Sequence, residues 1–108
     1  MRKYYELTVR LTEKGWKKQI KSFAIIEMFG DAVCYKNPKW GNLVNKNLNK
    51  IHGNMNEFWV GTLDKSKLNI YYEQAKDLII KDITEERNRL NGLLQVAVSY
   101  VSEKGEEE

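Results

Sequence analysis

From Leu68 onward the apolar residues Leu68, Tyr72, Ala75, Ile79, Ile83 and Leu90 recur at steps of three and four residues and their multiples. That period sets them along one stripe of a long helix. Asp77 and Lys81 are spaced for an i,i+4 pair on its surface. A helix with one apolar stripe has to bury it against a second layer, so the rest of the chain must supply that layer. Two segments do. Tyr5, Leu7, Val9 and Leu11 alternate with Tyr4, Glu6, Thr8 and Arg10, and the period of two predicts a half-buried strand. Glu57 to Leu63 predicts another, with Phe58, Val60 and Thr62 on one side and Trp59 and Leu63 on the other.

Between these segments the reading is less direct. Glu13-Lys14-Gly15 is a turn signal, because glycine admits the positive φ of tight hairpins. Residues 17–29 read either as a strand returning beside the first or as a helix from Ser22 to Phe29, capped by Ser22 and ended by Gly30. Leu43, Val44, Leu48 and Ile51 can share one face of a short helix between Trp40 and Ile51, closed by Gly53. Asp64 to Lys67 is a turn in which Ser66 is a candidate N-cap. Thr84-Glu85-Glu86 marks a possible break of the long helix, and Asn91-Gly92 its end. Leu94 to Val101 alternates again and is rich in β-branched residues, which favours a strand. The expected architecture is α+β: a small antiparallel sheet with one long helix across a face, in the order β-β-(α)-β-α-β.

The chain has 108 residues, the usual size of one domain. The reading is a single α+β domain over 1–102 and a charged, frayed tail over 103–108. With one cysteine, Cys34, no intramolecular disulfide is possible. Its apolar neighbours Ala32, Val33 and Tyr35 mark it as a buried thiol. Neither a signal-peptide pattern nor a run of about eighteen apolar residues occurs, so the expected location is cytoplasmic, with no membrane partner.

Chemistry is sparse. His52 is the only histidine, with no His-x-x-x-His or Cys-x-x-Cys beside it and no nucleophile-elbow sequence around any serine. The glycines are isolated, so no loop is built to cradle phosphates. The reading is not an enzyme, with no catalytic residue, no metal site and no cofactor.

Charge distribution says more. Residues 1–50 carry eleven Lys and Arg against four Asp and Glu, a balance of +7; residues 51–108 carry seven against eleven, a balance of −4. Seven of the 21 residues in 36–56 are asparagine, and this stretch holds four lysines and no acid. Lys36, Lys39, Trp40, Lys46 and Lys50 there combine charges for phosphate with an aromatic for stacking. Lys14, Trp16, Lys17, Lys18 and Lys21 form a second cluster of the same kind. Glu73, Asp77, Asp82, Glu85 and Glu86 give the long helix an acidic character. Tyr71, beside the inward Tyr72, turns partly outward and suits an interface.

A short, Lys- and Asn-rich chain without enzymatic motifs resembles the small accessory proteins of phages and mobile elements of low-GC bacteria, anti-CRISPR proteins among them. The resemblance implies a non-enzymatic inhibitor that occupies the surface of a host protein or protein–nucleic-acid complex, with the acidic helix residues as the mimic face. The alternative is a small module that binds DNA or RNA directly through segment 36–56. A third is an assembly subunit that forms a homo-oligomer through its sheet edge.

Overall fold

The computed structural model describes residues 2–107, and side chains for residues 2–99. Its order is β1 (Lys3–Thr12), β2 (Gly15–Phe29), β3 (Ala32–Lys36), β4 (Leu43–Asn47), β5 (His52–Asn54), β6 (Glu57–Thr62), a 3-10 turn (Lys65–Lys67) and α1 (Leu68–Glu107). The strands form one antiparallel sheet in the order β4-β3-β2-β1-β6-β5. The fold is α+β, as the two periodicities require.

β1 lies at the centre of the main sheet. Leu7 faces Ile20 on one side and Val60 on the other; Val9 faces Lys18 and Phe58. The odd-numbered residues of β1 therefore share a face with Phe58 and Val60, and α1 closes that face with Leu68, Ala75 and Ile79. Leu7, Val9, Val60, Ala75 and Ile79 are fully buried. At about 1.5–3 kcal/mol for each large apolar side chain taken from water, this layer is the main source of stability.

A second apolar cluster sits on the opposite face. The register between β2 and β3 shifts between Ile25 and Glu27, and such an irregularity bends a strand and raises its twist. The β3–β4 wing thereby curls over one end of the sheet, enclosing Tyr4, Val33, Tyr35 and Leu48. The backbone N–H of Leu48 donates to Asp31 (2.7 Å) and that of Asn49 to Gly61 (2.7 Å), tying the wing back to β6. The rings of Tyr4, Phe23 and Tyr35 stack with centroids 4.3 to 6.2 Å apart. Gly61 is demanded here, because any Cβ would collide with the ring of Tyr4.

Several expectations are corrected. Residues 17–29 belong to one strand, and the helix from Ser22 to Phe29 is not formed, since β1 and β3 both pair with this segment. The helix between Trp40 and Ile51 is replaced by β4 and β5. Positive φ at Gly41 (73°) and Asn49 (59°) interrupts any helix there, and β4 satisfies its backbone against β3. At the turn before α1, the side chain of Asp64, not of Ser66, accepts the capping bond, from the Ser66 N–H (3.0 Å). The strand expected over Leu94 to Val101 is helix, and neither Thr84 nor Gly92 interrupts α1. A helix already nucleated extends by one hydrogen bond per residue, which outweighs the weak strand preference of valine. The side chains of 100–108 lie outside the described residues; the backbone of 103–107, expected as a frayed tail, is the last part of α1.

No helix is long and apolar enough to cross a membrane among the described residues.

Candidate nucleic-acid interface

Alternation along β2 sorts its basic residues. Trp16 and Lys18 share the α1 face, where Lys18 Nζ lies 4.7 Å from the Tyr72 ring centroid and Lys76 Nζ 5.9 Å from that of Trp16. Lys17, Gln19 and Lys21 face the other way, beside Arg10, Thr8 and Glu6 of β1. Lys17 to Phe23 spans about 20 Å at roughly 3.3 Å per residue, and it forms one border of the outer face. Arg10 is held by Glu57 across the sheet, its Nη2 donating at 2.5 Å.

At the Phe23 end, a hollow of about 390 Å³ is lined by Lys21, Phe23, Asn37, Pro38, Lys39 and Trp40. The turn that carries Trp40 is built by one side chain. Asn37 Oδ1 accepts from the backbone N–H of Lys39 (2.8 Å) and of Trp40 (3.2 Å), and the backbones of Asn37 and Asn42 join at 2.8 Å. Asparagine closes such turns by standing in for a backbone carbonyl. Gly41, at φ 73°, lets the chain turn out into β4. The indole is left 73% exposed, with Lys39 Nζ 4.9 Å from its centroid.

At the β6 side, Trp59 is half-buried on the same outer face. Lys46 Nζ lies 4.6 Å from its centroid and the His52 ring stands 4.8 Å away. Of the five basic-segment residues, the structure thus joins Lys39 and Trp40 at the hollow and sets Lys46 on a second aromatic. Lys36 borders the Gly41 turn, its Cε next to the space a Cβ there would fill, and Lys50 is exposed beyond β4. Lys17, Lys21, Phe23 and Trp59 complete the surface. Lys17 and Lys21 had a signal in the sequence as part of a lysine cluster; Phe23 and Trp59 join only through strand pairing.

The acidic residues of α1 are dispersed. At about 100° per residue, Asp82 and Glu86 lie on the side of the helix away from Glu73 and Asp77. Glu73 pairs with Lys76 (3.2 Å), Asp82 accepts from the Met55 N–H (3.1 Å), and Glu86 is paired with Arg89, which holds its carboxyl below the usual range. Glu85 is exposed. Tyr71 donates its hydroxyl to Asn49 Oδ1 at 2.9 Å.

Two further sites bear on chemistry. Cys34 is a buried free thiol in β3, and His52 is exposed on β5. Among the described residues no group of three His, Cys, Asp or Glu is placed to hold a metal ion. The hollow of about 590 Å³ lined by Arg2, Lys3, Tyr5, Leu63, Asp64 and Lys65 is larger than the one at Trp40, but it offers no exposed indole for stacking.

No protein-family model matches this chain, and neither a curated protein nor a solved structure is found to be similar to it.

Proposed function

We propose that this chain is a non-enzymatic binding module that takes single-stranded nucleic acid across the outer face of its sheet. The observation that carries this reading is Trp40. An indole is among the largest apolar groups a protein can bury, yet here a side-chain-built turn holds it in solvent beside Lys21, Lys39 and Phe23. The flat face of a base would cover it, while the lysines neutralise the adjoining phosphates. Lys17 and Lys46 extend the positive charge toward Trp59, which gives a second ring. Rings and ammonium groups suit any base and any phosphate, so the binding is sequence-tolerant.

This reading is preferred to the inhibitor suggested by the sequence because a mimic of nucleic acid needs its carboxylates on one surface, and α1 divides them. The test is fluorescence anisotropy of a labelled oligothymidylate, an oligouridylate and a duplex, titrated with the protein between about 50 mM and 200 mM salt. Single strands bind, the affinity falls with a slope of about −0.7 per neutralised phosphate, and Trp40→Ala weakens binding by roughly 5- to 150-fold, the worth of about 1–3 kcal/mol per stacked base. A protein that leaves every oligonucleotide unbound at low salt is not this module, and the inhibitor of a host complex becomes the working model.

A further inference from the structure

β2 is longer than its neighbours can cover. β1 pairs with it over 15–24, and β3 pairs with it on the other side only over 25–29. β3 ends at Lys36. Beyond it Pro38, which has no N–H to give, and the turn built by Asn37 carry the chain away. The stretch 16–22 is therefore an edge of the sheet, about 23 Å long at roughly 3.3 Å per residue.

Two hydrogen bonds fix which backbone groups of this edge are open. The Ile25 N–H donates to the Arg2 carbonyl (3.5 Å) and the Leu11 N–H to that of Asn56 (2.8 Å). Even-numbered residues of β1 thus bond β2, and odd-numbered ones bond β6. Across the register, the odd-numbered residues of β2 are the ones that face β1. Trp16, Lys18, Ile20 and Ser22 direct their N–H and C=O groups outward, and none of these groups has a backbone partner among the described residues.

The side chains of this edge are basic on one face and partly apolar on the other. Trp16, Lys18, Ile20 and Ser22 lie on the α1 face, where Ile20 is 46% exposed; Lys17, Gln19 and Lys21 lie on the outer face. No acid occurs from Lys14 to Ile26, and no carboxylate pairs with Lys17, Lys18 or Lys21 among the described residues. Acids on the neighbouring elements are engaged elsewhere. Glu6 accepts from the Tyr4 hydroxyl, Glu57 holds Arg10, and Glu73 holds Lys76.

We propose that this edge takes an extended acidic peptide, which joins the sheet as an antiparallel strand beside β2. A row of unpaired N–H and C=O groups is the template for such addition. It selects a peptide over a nucleic acid, which has no matching ladder of donors and acceptors. Antiparallel pairing is the arrangement of every pair in this sheet and the more stable per residue. Alternation then dictates the guest's sequence: carboxylates opposite Lys17 and Lys21, apolar side chains opposite Trp16 and Ile20. A second copy of β2 is the wrong guest, because it brings three lysines from each chain into one seam, and like charges set opposite one another destabilise a strand pair.

The test is fluorescence anisotropy on the full chain, without nucleic acid, using a labelled, end-capped heptapeptide of alternating valine and glutamate with valine at both ends. The peptide should bind saturably, and Lys17→Glu with Lys21→Glu should weaken it at low salt. In the antiparallel pair the valines stand opposite the outward-facing residues of β2, so their N–H groups enter the ladder while those of the glutamates point away. N-methylation of the valines should therefore weaken binding at least about tenfold, and N-methylation of the glutamates should leave it in place. Absence of binding at low salt overturns the proposal. Equal affinities for the two methylated peptides also overturn it, because ionic attraction alone then holds the peptide. Loss on glutamate methylation alone overturns the antiparallel arrangement. No oligonucleotide enters these measurements, so the failure of this proposal and that of the nucleic-acid reading are read separately.

Discussion

The two faces of the main sheet begin from the same strand and end in opposite uses. On one, Tyr5, Leu7, Val9 and Leu11 meet Phe58, Val60 and the stripe of α1. On the other, Thr8 and Arg10 of β1 lie beside Lys17, Gln19 and Lys21 of β2, and the cover is partial: the β3–β4 wing closes over Tyr4 and Leu48 and stops. What lies past the wing is basic and aromatic. The difference follows from alternation. A strand that commits every second residue to the core leaves the others free of packing constraint, and here those others carry charge and, at Trp59, a ring.

Substitutions on the covered face should act on stability alone. Leu7→Ala and Ile79→Ala, at fully buried positions, should each lower unfolding free energy by about 2–5 kcal/mol in chemical denaturation. Oligonucleotide affinity at a temperature where the variant is folded should not change. Lost affinity in a folded Ile79→Ala would show that the two faces are not independent. Gly61→Ala, which drives a methyl into the Tyr4 ring, should cost about 1–3 kcal/mol through overpacking, and Tyr4→Ala in the same chain should relieve that clash, leaving a double-mutant coupling energy of favourable sign.

Tyr4 also predicts alkaline behaviour. Burial, and then the charge of Glu6, to which its hydroxyl donates (3.1 Å), push its ionisation well above the ordinary value of 10.0. The folded state therefore holds this proton more tightly than the unfolded chain. Its contribution is complete below pH 10 and falls away as pH rises above that value, so unfolding followed by circular dichroism should steepen on the alkaline side. Tyr4→Phe should flatten that slope.

Smaller effects belong to the outer face. Trp40→Ala should leave stability within about 0.5 kcal/mol, because the indole buries little, while reducing single-strand affinity. Arg10→Ala, which breaks a half-exposed pair with Glu57, should change stability by about 1 kcal/mol or less.

The sequence made one face legible and hid most of the other. β1, β6 and the start of α1 carry clean periods of two or of three and four, because one side of each is mostly apolar. β4 and β5 are five and three residues long and rich in asparagine, so no apolar rhythm marks them. Their pairing partners decide their conformation. Leu94 to Val101 imitates a strand for the converse reason: its valines stand at alternate positions, and only continuity with Leu68–Ile83 makes the stretch helix. The interface shows the same limit. Lys39 and Trp40 stand adjacent in the chain and declare themselves, whereas Lys21 and Phe23 reach them through the β2–β3–β4 wing, and Trp59 reaches Lys46 through its curl.

The three tryptophans offer the most direct test, because they report on different faces: Trp16 on the α1 side, Trp40 and Trp59 on the outer side. In a nitrogen–proton correlation spectrum titrated with oligothymidylate, the indole N–H signals of Trp40 and Trp59 should shift progressively while that of Trp16 stays in place. A shift of Trp16 without Trp40, or no shift of any indole at low salt, would contradict the assignment of the outer face as the binding surface.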